Sequence, residues 1–284
     1  MRFAICFGLI AALVWTGPAN AEERSLLFML GGVEQRFTAP ELLARPDAAE
    51  ITVPDDVAYT QTKTYRAVPL LSLLPGVPEP FDTLEARALD GFAAQIPLSL
   101  LRGAASGGSV AWLAVELPGQ PWPDLPGQNV GPGPFYLVWE GPERSGVTKE
   151  QWPYQLASLT AVESPAHRWP QLVVDASLPP DAAARRGQQQ FAAACLSCHR
   201  LNGGGVAEVG PDLGQPMNAV DYMTPQGLRA LVRDPKSVRT WPQQQMPGFS
   251  AEELPDADLD AVIAYLQHVA RHKDAAGGGL HSAR

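Results

Sequence analysis

The sequence predicts two domains, a β-rich α+β domain followed by an all-α domain. The chain has 284 residues, and domains commonly hold roughly 150 residues each. Its first half consists of short apolar runs separated by proline and glycine clusters, which is typical of a strand-rich fold. Its C-terminal third instead carries apolar residues at helical spacing on either side of a cysteine pair.

The chain is acidic, with 30 Asp and Glu residues against 21 Lys and Arg residues, and its formal charge is −9. Surfaces that bind nucleic acid are basic, so we expect no nucleic-acid partner. An acidic surface suits a protein that is simply soluble. It equally suits one that docks to a basic patch on a partner protein.

Residues 1–21 are predicted to be a cleaved signal peptide. Arg2 supplies the positive start, residues 3–15 form an apolar run, and residues 19–21 read Ala-Asn-Ala, an A-x-A-like cleavage site. An apolar run of 13 residues falls short of the ~20 that a spanning helix needs, and no later run approaches that length, so we expect no transmembrane anchor. The segment predicts export, with a bacterial periplasm as the location. Cleavage would remove Cys6 and leave one cysteine pair, which excludes a disulfide-stapled fold.

The N-terminal domain is predicted at residues 22–172. Its short apolar runs, interpreted as strands, are residues 25–30, 51–53, 68–74, 84–89, 110–117 and 135–139. Residues 119–134 contain five prolines and four glycines, and this composition predicts a stiff irregular loop.

Several short motifs in this half resemble the sulfite-oxidase-type molybdopterin-binding fold. Residues 65–70 read Tyr-Arg-Ala-Val-Pro-Leu and are similar to its Y-x-G-V-P-L entry. Residues 89–92, Leu-Asp-Gly-Phe, followed by Ile-Pro-Leu at 96–98, are similar to its A-x-D-G-Y and I-P segments. Residues 133–138 and 152–162 resemble its closing strands. The resemblance implies a molybdopterin-binding-like domain.

One departure from that family changes what the domain is expected to do. Its catalytic members hold molybdenum through a cysteine, and no cysteine lies between Cys6 and Cys195. The resemblance therefore implies no molybdenum centre of that kind. A docking or accessory scaffold is one interpretation, and a domain that binds an organic cofactor or substrate is the other. Arg87 and Asp90 could line a pocket, although a charged pair near a loop is usually solvated.

The boundary between the domains is predicted in residues 163–180, where prolines occupy positions 165, 170, 179 and 180. The C-terminal domain is predicted at residues 173–274, with its compact part beginning near Ser177. The remaining residues 275–284 are predicted to be a disordered tail.

Two helices are predicted to frame the C-terminal domain. The first begins after Asp181, a plausible N-cap behind two prolines, and runs into Cys195. Gly187 and Phe191 lie four residues apart on one face of it, and the glycine suggests a close backbone approach. The last helix carries an apolar stripe of Leu259, Val262, Ile263, Leu266 and Val269. Beside this stripe lies Tyr265, which we expect to meet Phe191.

Residues 195–199 read Cys-Leu-Ser-Cys-His, the attachment motif for a c-type haem. Each thiol can add to one haem vinyl group, and the two-residue gap lets Cys195 and Cys198 reach the same porphyrin edge. His199 then follows at the position of an axial iron ligand. A redox dithiol would not need the histidine. A zinc site would need a second ligand pair, which the mature chain lacks.

The C-terminal domain resembles class I c-type cytochromes over residues 181–272. The resemblance rests on the spacing from Gly187 through His199, on Gly-Pro-Asp-Leu at 210–213, and on Met246-Pro247 before a terminal helix. It implies one covalent haem c whose proximal ligand is His199 and whose other axial ligand is Met246. It also implies that the carbonyl of Pro211 accepts the second N–H of His199.

Other candidate residues are less specific. Trp241 could bond a haem propionate or pack in the core. Met217 and Met223 precede the middle helix and are interpreted as packing residues. His268 and His272 are spaced i, i+4, a spacing that could hold a metal, but histidines there usually favour the helix C-terminal dipole.

These patterns imply an exported mono-haem c-type cytochrome that exchanges single electrons with a redox partner, such as a dehydrogenase, an oxidoreductase or an oxidase. A His/Met ligand pair leaves no open iron site, which favours electron transfer over catalysis. Electrons are expected to pass at the haem edge near Cys195 and Cys198. Two alternatives stay open: a haem-containing oxidoreductase subunit whose N-terminal domain binds a cofactor or substrate, and a ligand-sensing module.

Overall fold

The computed structural model describes residues 24–272. The predicted signal peptide and the predicted disordered tail lie outside the described residues. The strands of the described part are β1 (Ser25–Leu30), β2 (Val33–Thr38), β3 (Ala49–Asp56), β4 (Gln61–Pro69), β5 (Thr83–Ala88), β6 (Ala93–Pro97), β7 (Val110–Val115), β8 (Phe135–Glu140) and β9 (Leu156–Val162). All nine strands belong to the N-terminal half, which is therefore β-rich as predicted.

The α-helices concentrate at the other end of the chain. They are α1 (Ala39–Leu43), α2 (Leu98–Arg102), α3 (Pro165–Arg168), α4 (Ala183–Ala194), α5 (Ala219–Tyr222), α6 (Pro225–Arg233), α7 (Pro235–Val238) and α8 (Asp256–Arg271). No helix between residues 24 and 272 is long and apolar enough to cross a membrane.

The N-terminal domain is built from two sheets. One has the strand order β2-β1-β9-β5-β6, with β1 and β9 parallel and its other neighbours antiparallel. The other is antiparallel, in the order β3-β4-β7-β8. A shared apolar core includes the fully buried Phe28, Tyr136 and Trp139. In the first sheet β6 forms an edge, and this edge faces the haem-attachment motif.

Some predicted strands differ from the structure. The run at 68–74 is split, because β4 ends at Pro69 and Leu70–Leu73 form a 3₁₀ turn. Proline has no N–H to continue a sheet ladder, and its fixed φ suits the start of such a turn. The strands β2 and β6 carry few large apolar residues, so no apolar run predicted them.

The two framing helices of the C-terminal domain pack as predicted, with Gly187 at their crossing. A Cβ atom on Gly187 would overlap the carbonyl oxygen of Ala261 and lie 2.7 Å from Cβ of Tyr265. The rings of Phe191 and Tyr265 lie 5.4 Å apart between centroids. The predicted cap of α4 is wrong: Ala182 is the N-cap and Asp181 makes no cap hydrogen bond. Asp181 lies one residue too early to reach the first helical amides.

The segment between the two domains is fixed at both ends. On one side, Arg168 pairs with the buried Glu85 of β5 at 2.7 Å. On the other, Leu172 packs in the same apolar cluster as Phe191, and its carbonyl accepts a 2.7 Å hydrogen bond from the Tyr265 hydroxyl. The last part of the predicted linker thus packs against the C-terminal domain.

This packing changes the expected behaviour of an isolated C-terminal fragment. Fragments beginning at Trp169 and at Ser177 both keep every residue proposed to bind haem, but only the first keeps Leu172 and Val174, which are buried in the cluster. Burial of each such side chain contributes about 1.5–3 kcal/mol. We therefore expect the Ser177 fragment to be less stable by about 3–6 kcal/mol in denaturant titrations of the haem-loaded forms. Equal denaturation midpoints for the two fragments would show that Leu172 and Val174 do not stabilise the domain. The boundary after residue 172 stays a prediction.

Candidate haem site

The attachment motif forms a tight turn at the end of α4. The N–H groups of Cys195 and Leu196 both donate to the carbonyl of Phe191 at 2.9 Å, and the N–H of His199 donates to Cys195 at 2.9 Å. One turn of chain therefore carries the two thiols and the imidazole. Both thiols are free and half-buried. Desolvation raises the pKa of Cys195 to about 12 and that of Cys198 to about 11, so in this setting both remain protonated.

The tautomer of His199 is set by its hydrogen bond. Its Nδ1 lies 2.9 Å from the carbonyl oxygen of Pro211. A carbonyl can only accept, so Nδ1 carries the proton and Nε2 keeps a free lone pair. Desolvation lowers the pKa of His199, which also favours the neutral ring. A neutral imidazole with a free Nε2 is the form that ligates a metal.

The segment carrying Pro211 lies directly against the motif. Gly210 donates to the carbonyl of Cys198 at 2.8 Å, and Leu213 donates to Arg200 at 2.8 Å. A Cβ on Gly210 would lie 2.5 Å from the His199 ring, so only glycine lets the backbone approach the imidazole this closely.

Asp212 organises this region, although the sequence reasoning missed it. Its carboxylate accepts backbone N–H groups from Asn202 at 2.9 Å, Gly203 at 2.7 Å and Gly214 at 2.8 Å. The bond to Gly214, two residues on, is the Asx-turn pattern that an Asp-x-Gly triplet favours. That triplet was the available signal. The glycine-rich turn after His199 is held by this carboxylate, not left free.

Met246 lies on the loop between α7 and α8 and is half-buried. Three residues on, the N–H of Phe249 donates to Val232 of α6 at 2.9 Å. The guanidinium of Arg233 donates to the carbonyls of Phe249 and Ser250 at 2.9 and 3.0 Å. The chain that follows Met246 is thus anchored on α6.

The structure separates the remaining candidate residues by their burial and by their contacts. Met223 packs against an apolar cluster, as predicted. Met217 is 51% exposed, so its interpretation as a packing residue is wrong. Trp241 is 45% exposed, which excludes the core-packing alternative, and its ring lies 5.5 Å from the Arg239 guanidinium. His268 accepts from the N–H of Asp175 at 3.0 Å and so helps to hold the interdomain segment.

These residues fit a covalent haem. The donor set comprises two thiols, a neutral imidazole and a thioether on a separate loop, which are the groups that a c-type haem uses. The exposed large apolar side chains described in this domain include Met217, Tyr222, Val238 and Trp241, and a macrocycle needs an apolar lining. In residues 24–272 no group of three or more His, Cys, Asp and Glu side chains is gathered, as a zinc site would require.

The N-terminal domain touches the attachment motif directly. The N–H of Ala93, at the start of β6, donates to the carbonyl of Ser197 at 2.9 Å, and Gly91 accepts from the N–H of Glu208 at 3.1 Å. Ser197, between the two cysteines, is only 1% exposed. The turn at 89–92 therefore contacts the haem domain. This contact covers part of the surface near Cys195 and Cys198, where electrons are expected to pass at the haem edge.

A buried acid from the N-terminal domain also lies near the thiols. Glu150 is buried, and desolvation raises its pKa to about 7. Its charge contributes to the raised pKa of both cysteines, after desolvation. No motif singled out Glu150, because its proximity to the thiols depends on the docking of the two domains.

Residues 184–270 match the family model for cytochrome c. The match extends from the beginning of α4 almost to the end of α8, so the C-terminal region is a cytochrome c domain, and a covalently bound haem c is implied. No curated protein matches the chain.

Proposed function

We propose that the protein is an exported mono-haem c-type cytochrome that transfers single electrons to or from a redox partner. The observation that carries this proposal is the hydrogen bond from Nδ1 of His199 to Pro211, which leaves Nε2 free for iron. Cys195 and Cys198 would hold the haem covalently. Haem iron, when bound, supplies one-electron exchange.

The distal side of the site is proposed to be closed by Met246. Its half-buried position on an anchored loop between α7 and α8 supports this choice. A thioether favours ferrous iron and a high potential. With both axial positions taken by the chain, the site would exchange electrons and would not bind a small substrate at iron. Trp241 is proposed to lie beside the haem and to bond a propionate.

The N-terminal domain is proposed to be an accessory module of molybdopterin-binding-like fold without the molybdenum cofactor. Its two β-sheets are compatible with that fold, and no cysteine lies in it to hold the metal. Residues 89–92, which resemble the A-x-D-G-Y segment of that family, contact the haem domain through the carbonyl of Gly91. Export to a periplasm remains part of the proposal because haem c is attached after export.

A second candidate function would use an open depression on the N-terminal domain, at its border with α4. It has a volume of about 410 Å³ and is lined by Ser99, Ser145, Thr148, Gln151 and Ala193, among others. Ala193 lies two residues before Cys195, so a molecule bound there would lie near the attachment motif. An oxidoreductase subunit that binds a cofactor or substrate there would pass electrons to the haem. Metal and pterin analysis of periplasmically matured protein separates the two functions.

The distal ligand decides between an electron carrier and a haem enzyme. Met246→Ala should abolish the weak charge-transfer band of sulfur–iron(III) ligation and lower the midpoint potential, because the thioether ligand would be missing. Carbon monoxide should then bind rapidly, because it would not have to displace that ligand. Optical spectroscopy and redox titration of the matured protein test this. Met217→Ala, at an exposed methionine, is the matched control and should keep the band. A wild type without the band, or one that binds carbon monoxide quickly, would contradict the carrier function.

A further inference from the structure

Lys149 of the N-terminal domain reaches across to the haem domain and makes three contacts there. Its Nζ donates to the carbonyl of Gly248 at 3.2 Å and pairs with Glu253 at 3.1 Å. The same Nζ lies 4.5 Å from the centroid of the Phe249 ring. The Lys149 side chain is only 23% exposed, so these contacts are partly shielded from water.

All three contacts fall on the chain that follows Met246. Gly248 and Phe249 are the second and third residues after the methionine, and Glu253 lies in the turn before α8. Within the haem domain, hydrogen bonds tie this stretch to α6 through Arg233 and Val232. The buried Phe249 ring also packs in an apolar cluster with Leu259 and Ile263 of α8. Lys149 adds a further anchor from the opposite domain.

The backbone that presents Lys149 is itself firmly held. Lys149 begins a 3₁₀ turn, Lys149–Gln151, in which the Gln151 side chain accepts the N–H of Thr148 at 2.9 Å. The carbonyl of Gln151 accepts the indole N–H of the fully buried Trp139 at 2.8 Å. The backbone that carries Lys149 is thus fixed relative to the core of the N-terminal domain, so the side chain can restrain a loop on the neighbouring domain.

We propose that Lys149 is a positioning residue for Met246, through which the N-terminal domain keeps the distal methionine on the iron. The proposal rests on the proposed function, in which Met246 is the axial ligand. A thioether is a neutral ligand on a loop, and its release requires that loop to open locally. Contacts made only in the closed form lower the population of the open form. The hydrogen bond, the ion pair and the cation–π contact of Lys149 are contacts of this kind.

The test uses the full-length, haem-loaded protein and added imidazole as a probe of methionine release. Lys149→Met keeps much of the apolar stem but removes the charge. Imidazole binding is followed as loss of the sulfur–iron(III) band. Its rate constant or its affinity should be about tenfold higher in this variant than in the wild type, because a charged hydrogen bond of about this strength is lost. The midpoint potential should fall. The Phe249 amide, bonded to Val232, should exchange its hydrogen faster.

Two further variants separate a positioning role from a general effect on folding. Lys63→Met is the matched control, since Lys63 makes a cation–π contact with Tyr59 at 3.8 Å inside the N-terminal domain. It should leave imidazole binding unchanged. Lys149→Arg, which keeps the charge, should restore slow binding at least in part. Glu253→Gln should speed binding, but less in the Lys149→Met background, because the two side chains form one pair.

The outcomes distinguish this inference from the function on which it rests. If the wild type shows no sulfur–iron(III) band, the proposed ligation fails and the inference falls with it. If the band is present and Lys149→Met binds imidazole like the wild type, the inference alone is overturned. It is also overturned if Lys63→Met speeds binding as much as Lys149→Met.

Discussion

Replacement of both motif cysteines, Cys195→Ala with Cys198→Ala, is expected to give protein that carries no covalently bound haem. Each thiol supplies one thioether bond, so no covalent link remains when both are gone. The haem would also be a large part of the apolar core of a small domain. We therefore expect the C-terminal domain of the double variant to be unfolded or strongly destabilised.

Denaturing electrophoresis followed by detection of haem in the protein band measures this directly. Cys6→Ala is the matched control, because Cys6 lies in the predicted signal peptide and its loss should leave haem in the band. Haem that still migrates with the double variant would rule out attachment at this motif.

Gly187→Ala is expected to destabilise the haem domain by about 3 kcal/mol or more, since overpacking a tight contact commonly costs 1–3 kcal/mol and here the obstacle is backbone. The added methyl group would overlap the Ala261 carbonyl and press on Tyr265, so α4 and α8 would have to separate. Alanine favours a helix over glycine by only about 1 kcal/mol. The clash is therefore the larger effect.

Gly227→Ala in α6 provides the matched comparison. The atom nearest to a Cβ added at Gly227 would be the side-chain hydroxyl oxygen of Thr224, at 3.3 Å. This change should be neutral or stabilising by up to about 1 kcal/mol. Guanidinium unfolding of the haem-loaded variants compares the two. Equal midpoints for the two variants would mean that the helices do not meet as closely as described.

Features set by local or periodic signals were predictable from the sequence. The apolar run at 25–30 coincides with β1, and the helical stripe that includes Leu259 and Val269 lies on the buried face of α8. The close approach at Gly187 followed from a glycine inside a helix. The start of α6 carries the same kind of local signal, since a threonine before a proline is a common helix start, and the Thr224 hydroxyl accepts the N–H of Gly227. Each of these signals is contained within a few turns of chain.

Features that depend on contacts distant in sequence were not predictable. Lys149 and Gly248 are far apart in the chain, and the sequence around neither residue contains a pattern that predicts their hydrogen bond. The burial of Glu150 has the same origin. The contact between Ala93 and Ser197 is a hydrogen bond between backbone groups, so it does not depend on the side chains and cannot be predicted from them. The haem motif identified the chemistry of the site but not the domain that covers one side of it.

The fixed segment between the domains has a consequence for how electrons reach a partner. Arg168 is bound to Glu85 in one domain, while the adjacent Trp169 packs against Gly204 in the other. Because these adjacent residues contact opposite domains, we expect that the cytochrome domain does not swing on a tether between a donor and an acceptor. A flexible tether would let one haem search a volume set by its length. If the chain transfers electrons as proposed, a partner that docks on the N-terminal domain would meet the haem at one distance and angle, and donor and acceptor would come to it in turn.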